Sequence, residues 1–271
     1  GSRAFGSKRS AQLAVTAAAA VPLAISSMEV EERNSGFVDP GENVPGPARI
    51  QGHVIHADPR VVHFKDFVTP EEVKHIIELC EGRWEQSRTS KGKVSELHGP
   101  IKDPDSAYGE ETVGNTRTSF GVHLKFEESL VVERIAARVA AVSGSTIDYV
   151  EPLVVLRYEP GQFFKVHHDG AMRPSTVFVY LTGLDEGAGG TTNFPHLGFE
   201  VQPVACTAVM WHNRQEDGSA DYRLMHEAKP VLEGLKYGMN CFVNLHQQRD
   251  TSGIIIVPHR PEDPNEGVCA S

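Results

Sequence analysis

The sequence predicts an α+β domain: two helices outside a core of short strands arranged as a sandwich or jelly roll. Three observations carry this. Two amphipathic helical patterns precede Gly144. Beyond Gly144 the texture changes to short β-rich runs separated by turn residues. And 271 residues with 39% hydrophobic content can bury one sizeable core.

Gly1-Ser2 reads as a cloning remnant. Lys8-Arg9 precedes an apolar run, Leu13–Ile25, too short to span a bilayer, so no transmembrane anchor is expected. It is either the hydrophobic part of a signal segment over residues 8–26 or an Ala-rich leader. The first implies the secretory-pathway lumen and the second the cytoplasm. Gly36, Pro40, Gly41, Pro45, Gly46 and Pro47 make a linker, so residues 1–50 are expected outside the fold. The folded domain is expected over 51–248. A strand over Val61–Phe67 leads into Thr69-Pro70-Glu71-Glu72, with threonine at the N-cap, proline at the first helical position and glutamate at the third. Val73, Ile76, Ile77 and Cys80 follow at helical spacing, and Gly82 ends the helix. The second helix spans Ser129–Val142, with Leu130, Ile135, Val139 and Val142 apolar and Gly144 closing it. Between them, Ser87–Asn115 is long and polar, the composition of a lid or binding loop. Strands are expected at Val150–Tyr158, Thr176–Leu181, Phe199–Val201, Thr207–Trp211, Leu224–His226 and Met239–Leu245. Residues 249–271, with Pro258, Pro261 and Pro264, are expected to be an extension.

Charge and cysteine usage exclude some functions. The net charge is −10, from 26 basic and 36 acidic residues, which argues against binding a nucleic-acid backbone. Four cysteines (Cys80, Cys206, Cys241 and Cys269) include no CxxC pair and are too few for a disulfide scaffold. The pairing state of Cys206 and Cys241 is not legible in the sequence. Thirteen histidines are where the chemistry should be sought.

Two segments stand out. In Tyr158-Glu-Pro-Gly161-Gln-Phe-Phe-Lys-Val-His167-His168-Asp169, strand period places His167 and Asp169 on one side and His168 on the other. One further histidine would complete a facial set of two imidazoles and a carboxylate, the set that holds Fe(II) and leaves positions open. In His226-Glu-Ala-Lys-Pro-Val-Leu-Glu-Gly-Leu-Lys236, a lysine follows a histidine at ten residues, and Glu233-Gly234 suggests a hairpin returning Lys236 to the interior that His226 faces. A lysine held inside a barrel needs a counter-charge, which a dicarboxylate would supply. The alternative for Lys236 is a strand-edge lysine that blocks aggregation. Gly187–Gly190 opens no helix and reads as a turn, not a phosphate cradle.

Together these residues resemble the prolyl 4-hydroxylases: Tyr158, Gly161 and His167-x-Asp169, then Arg173-x-x-Thr176, Gly189-Gly190-x-Thr192-x-Phe194-Pro195, and the distal His226 with Lys236. The likeness covers residues 60–247 and includes Arg117-Thr118-Ser119. It implies a double-stranded β-helix and an Fe(II)- and 2-oxoglutarate-dependent dioxygenase that uses O2. Hydroxylation of peptidyl proline would accompany decarboxylation of 2-oxoglutarate to succinate and CO2, with L-ascorbate as an accessory. By motif position, His167, Asp169 and His226 would bind iron. Lys236 would take the far carboxylate of 2-oxoglutarate, with Tyr158, Thr192 and Tyr180 around it, and Arg173 would contact the substrate peptide. His212 is a rival distal ligand, but Tyr222 stands ten residues on, where a basic residue is required. Thr191 replaces a common glutamate, Phe242 a frequent tryptophan, and Leu235 stands where oxygen-sensing members carry arginine. These differences bear on the substrate, not the metal site. The expected partner is a proline-containing peptide or protein, preferentially basic against an acidic enzyme. Hydroxylation of a free amino acid or another peptidyl residue, and a non-catalytic metal- or peptide-binding barrel, are the alternatives.

Overall fold

The computed structural model describes residues 44–47, 50–90, 111–112 and 116–249. The expected leader, most of the expected lid at 87–115, and the extension beyond Arg249 lie outside these residues. Along the chain, β1 (Gln51–His56) and β2 (Val61–Lys65) precede α1 (Pro70–Cys80). Short strands β3 (Glu85–Gln86), β4 (Thr89–Ser90), β5 (Glu111–Thr112) and β6 (Phe120–His123) lead to α2 (Leu130–Ser143). Then come β7 (Val154–Tyr158), β8 (Phe164–His167), β9 (Ser175–Tyr180), β10 (Thr192–Phe194), β11 (Phe199–Val201), β12 (Thr207–His212), β13 (His226–Ala228) and β14 (Lys236–Val243).

The helices form where local chemistry dictates. The Thr69 side chain accepts from the Glu72 amide while Glu72 reaches back to the Thr69 amide, the expected capping box. Ser129 caps α2, and Gly144 ends it in the left-handed conformation (φ 71°). Glu72 is fully buried and forms a salt bridge with Arg138 of α2; Arg138 also donates to the Phe67 carbonyl at 2.7 Å. That bridge locks the two helices together.

An eight-stranded sheet runs β1-β2-β12-β9-β14-β7-β6-β3, and a four-stranded sheet runs β11-β10-β13-β8. The central strands of the large sheet are buried on both faces, and period two sorts their side chains. On one face Val155, Val177, Val179, Ala208, Met210, Met239 and Cys241 pack with residues of α1 and α2. On the other, Leu156, Tyr158, Phe178, Tyr180, Val209 and Trp211 pack with Phe194 and Val201 of the small sheet. The result is the expected jelly-roll barrel with helices outside. Cys80 and Cys241 are buried free thiols, and Cys206 is also unpaired.

Three expectations change. Leu224 belongs to a 3-10 turn (Tyr222–Leu224), and the strand begins at His226. His226 and Lys236 are not joined by a hairpin within one sheet. β13 lies in the small sheet and β14 in the large one, so the chain crosses the barrel between them. The turn at Gly234 (φ 83°) is real, but it serves this crossing. Arg249, the first residue of the expected extension, is 6% exposed and holds Glu133 of α2 at 2.7 Å.

Candidate active site

The small sheet builds the centre. β8 and β13 are antiparallel, and their register sets His167 directly opposite His226. The two rings lie 4.3 Å apart between centroids. β8 ends at His167, so Asp169 lies just beyond the strand, ahead of the turn at Gly170 (φ 91°), with its carboxylate against both histidines. Its carboxylate oxygens stand 3.6 Å from His167 Nε2 and 3.6 Å from His226 Nε2. One donor atom from each of the three residues lies within 4.8 Å of the others, the one such group of histidine, cysteine and carboxylate side chains among the described residues.

The donor set fits a divalent transition metal. His167 Nδ1 donates to the Lys165 carbonyl at 2.8 Å, and His226 Nδ1 to the Leu224 carbonyl at 3.0 Å. This assigns the proton to Nδ1 and leaves each Nε2 lone pair facing the centre. Burial and the neighbouring His226 push the His167 imidazole well below its ordinary value, so it is neutral and able to ligate. For Asp169, burial acts upward but is outweighed by His226, His167, the Thr176 hydrogen bond and Arg173, and the carboxyl is held down. His167 keeps 21% of its side chain exposed, so the centre opens to solvent on that side.

Behind the centre lies a pocket formed by the large sheet. Lys236 pairs with Tyr158 in the β14–β7 register, and both face the interior. Lys236 is completely buried; its Nζ donates to the Gly190 carbonyl at 2.6 Å. The ammonium also lies 5.3 Å from the ring of Tyr158, 5.2 Å from Phe178 and 5.6 Å from Tyr180. Among the described residues no carboxylate forms an ion pair with it, and burial pushes its pKa down to about 7. Tyr180 donates to Thr192 at 2.8 Å on the same wall. Gly190 is required here: its φ is 67°, and a Cβ would meet Leu184 at 2.6 Å. Trp211 and Phe194 touch His226 at 4.7 and 5.8 Å between centroids, and both belong to the cluster that contains Tyr158 and Tyr180.

Arg173 forms a two-pronged bridge to Glu151 at 2.9 and 2.8 Å and lies 3.9 Å above the Phe242 ring. His168 faces away from the ligand set, with Nδ1 accepting from the Gly170 amide at 3.0 Å and its ring beside Tyr222. His212 sits at the end of β12, bonded to Ser175 Oγ at 2.8 Å and apart from the ligand group. Sequence reading did not assign Trp211, Asn213 or Phe164. Phe164 stacks on His167 at 3.6 Å, and the partners of Asn213 become visible only when β9 and β12 are paired.

Comparison with known proteins agrees with this geometry. A family profile described as the 2OG-Fe(II) oxygenase superfamily matches residues 153–244. The chain is 31% identical over 216 residues to chicken prolyl 4-hydroxylase subunit alpha-1, covering 73% of this chain and 39% of that one. It is 29% identical to Arabidopsis thaliana prolyl 4-hydroxylase 1, covering 69% and 70% respectively. The chain thus spans about two fifths of the chicken subunit and a larger share of the plant enzyme. In structure it resembles the viral collagen prolyl hydroxylase of Paramecium Bursaria Chlorella virus-1, solved as a 2OG complex, with a TM-score of 0.51 at 21% identity, covering 68% of this chain and 94% of that one.

Proposed function

The chain belongs to the prolyl 4-hydroxylase family of 2-oxoglutarate- and Fe(II)-dependent oxygenases, and from that premise we propose that it hydroxylates proline within a peptide or protein, with 2-oxoglutarate decarboxylated to succinate and CO2. The observation that carries this reading is Lys236: a fully buried ammonium without a carboxylate partner, in the barrel that also holds two histidines and an aspartate. A buried charge persists only where something compensates it, and the distal carboxylate of a dicarboxylate does so.

The roles follow from position. His167, Asp169 and His226 would hold Fe(II). When bound, Fe(II) with O2 and 2-oxoglutarate supplies the oxidising chemistry, and L-ascorbate keeps the metal reduced. Lys236 fixes the far end of the co-substrate so that its other end is oriented before reaction. Tyr158 and the Tyr180–Thr192 pair give this pocket polar edges on an aromatic wall. Trp211 and Phe194 cover His226, and Phe164 covers one face of His167. Arg173, held rigid by Glu151, is assigned to the substrate peptide. The catalytic unit runs from Val44 to Arg249, because Val44 and Ile50 of the expected linker pack against the core and Arg249 holds Glu133 of α2.

The test is succinate release from 2-oxoglutarate with Fe(II) and ascorbate, measured with and without proline-containing peptides. Stimulation by such peptides supports the reading. Stimulation by free amino acids alone would move the substrate to that class, and no succinate under any condition would leave a non-catalytic barrel.

A further inference from the structure

The carboxylate of the metal centre stands at the end of a buried hydrogen-bond chain. Trp211, Asn213 and Thr176 are 1%, 0% and 1% exposed. Trp211 and Thr176 are cross-strand partners in the β12–β9 register, and both face the barrel interior. Trp211 Nε1 donates to Asn213 Oδ1 at 2.9 Å. Asn213 Nδ2 donates to Thr176 Oγ1 at 2.9 Å and to the Arg173 carbonyl at 2.8 Å. Thr176 Oγ1 donates to Asp169 Oδ2 at 2.7 Å.

Chemistry gives this chain one direction. An indole N–H can only donate, so the amide oxygen of Asn213 must face Trp211. Its NH2 group then faces Thr176 and the Arg173 carbonyl, and both hydrogens are used. The threonine hydroxyl receives one of them on a lone pair, so its own hydrogen must go to Asp169. Every member is satisfied, which makes such a network rigid. Trp211 also sets its ring edge-on to His226 at 4.7 Å. One buried unit therefore touches two of the three ligands.

From this we propose that Thr176 and Asn213 are positioning residues: they engage one oxygen of Asp169, aim the other at the metal, and set the affinity of the centre. This deepens the reading of His167, Asp169 and His226 as ligands and rests on it. Outer partners of ligating carboxylates typically carry about 10- to 100-fold in metal affinity.

The experiment titrates Co(II) into the purified chain and follows its visible absorption, with folding checked by near-UV circular dichroism. Thr176→Val keeps the shape and removes the hydroxyl. It should weaken Co(II) binding by about 10- to 100-fold and shift the band, whereas Thr176→Ser, which keeps the donor, should restore both. Asn213→Leu should weaken binding in the same direction, and the double variant should be less than additive, because the two residues act in series. Where Thr176→Val fails to fold, Asn213→Leu carries the same expectation. Wild-type affinity and spectrum in a folded Thr176→Val, with binding lost in Asp169→Ala, would overturn the positioning role alone. Unchanged Co(II) affinity in Asp169→Ala would overturn the metal reading and this inference with it.

Discussion

Lys236 makes the case for a dicarboxylate most sharply. Its ordinary pKa of 10.5 falls to about 7 through burial, offset by a single hydrogen bond and three aromatic rings. Because the folded value lies below the unfolded one, the ligand-free protein gains stability from this group as pH rises between about 7 and 10.5. A carboxylate bound at Nζ reverses the preference and restores the charge, so binding takes up a proton. The affinity for 2-oxoglutarate should therefore be flat below pH about 7 and weaken above it, by up to about tenfold per unit. Calorimetry in buffers of different ionisation enthalpy checks this; no proton uptake at pH 8 would count against it. Lys236→Ala should weaken 2-oxoglutarate by about 10- to 100-fold, the worth of one charged hydrogen bond, and leave Co(II) binding unchanged. The interior place of Lys236 was legible only through the resemblance of its motif, since the residues alone also fit a strand-edge lysine. Its acceptor was not, because Gly190 lies 46 residues away and its carbonyl carries no sequence signal.

Among the elements, the helices were the most legible and the shortest strands the least. Thr69, Pro70 and Glu72 announce α1 by chemistry confined to four residues, and Ser129 and Gly144 bound α2 in the same way. By contrast, β6 and β10 have four and three residues, too few to establish a period. The separation of β13 from β14 into different sheets was not legible either, because a turn at Glu233-Gly234 fits a hairpin and a crossing equally well. The Glu72–Arg138 bridge belongs to this scale: it pins α1 and α2 together beneath the barrel. Arg138→Ala should leave a buried carboxylate unpaired and destabilise the fold by about 3–5 kcal/mol. Urea unfolding measures it, and a change of less than about 1 kcal/mol, typical of an exposed pair, would show that the bridge is not buried in solution.

As a whole, the molecule divides its labour between two sheets. The small sheet brings His167 and His226 together through strand register, and the large sheet supplies Lys236, Tyr158, Tyr180, Trp211 and Thr176 from its inner face. Period two along β7, β9, β12 and β14 explains why residues between Tyr158 and Lys236 converge on one face. The pairing that closes the barrel is a long-range property, so the sequence revealed it only through the resemblance of its motifs. We propose that this barrel oxidises peptidyl proline at the centre formed by His167, Asp169 and His226. The decisive measurement is mass spectrometry of proline-containing peptides after incubation with the chain, Fe(II), ascorbate and 2-oxoglutarate. Wild type and His212→Ala should add one oxygen atom to a proline residue, and His226→Ala should add none. A peptide left unmodified by wild type, or oxidised by His226→Ala and not by His212→Ala, would contradict it.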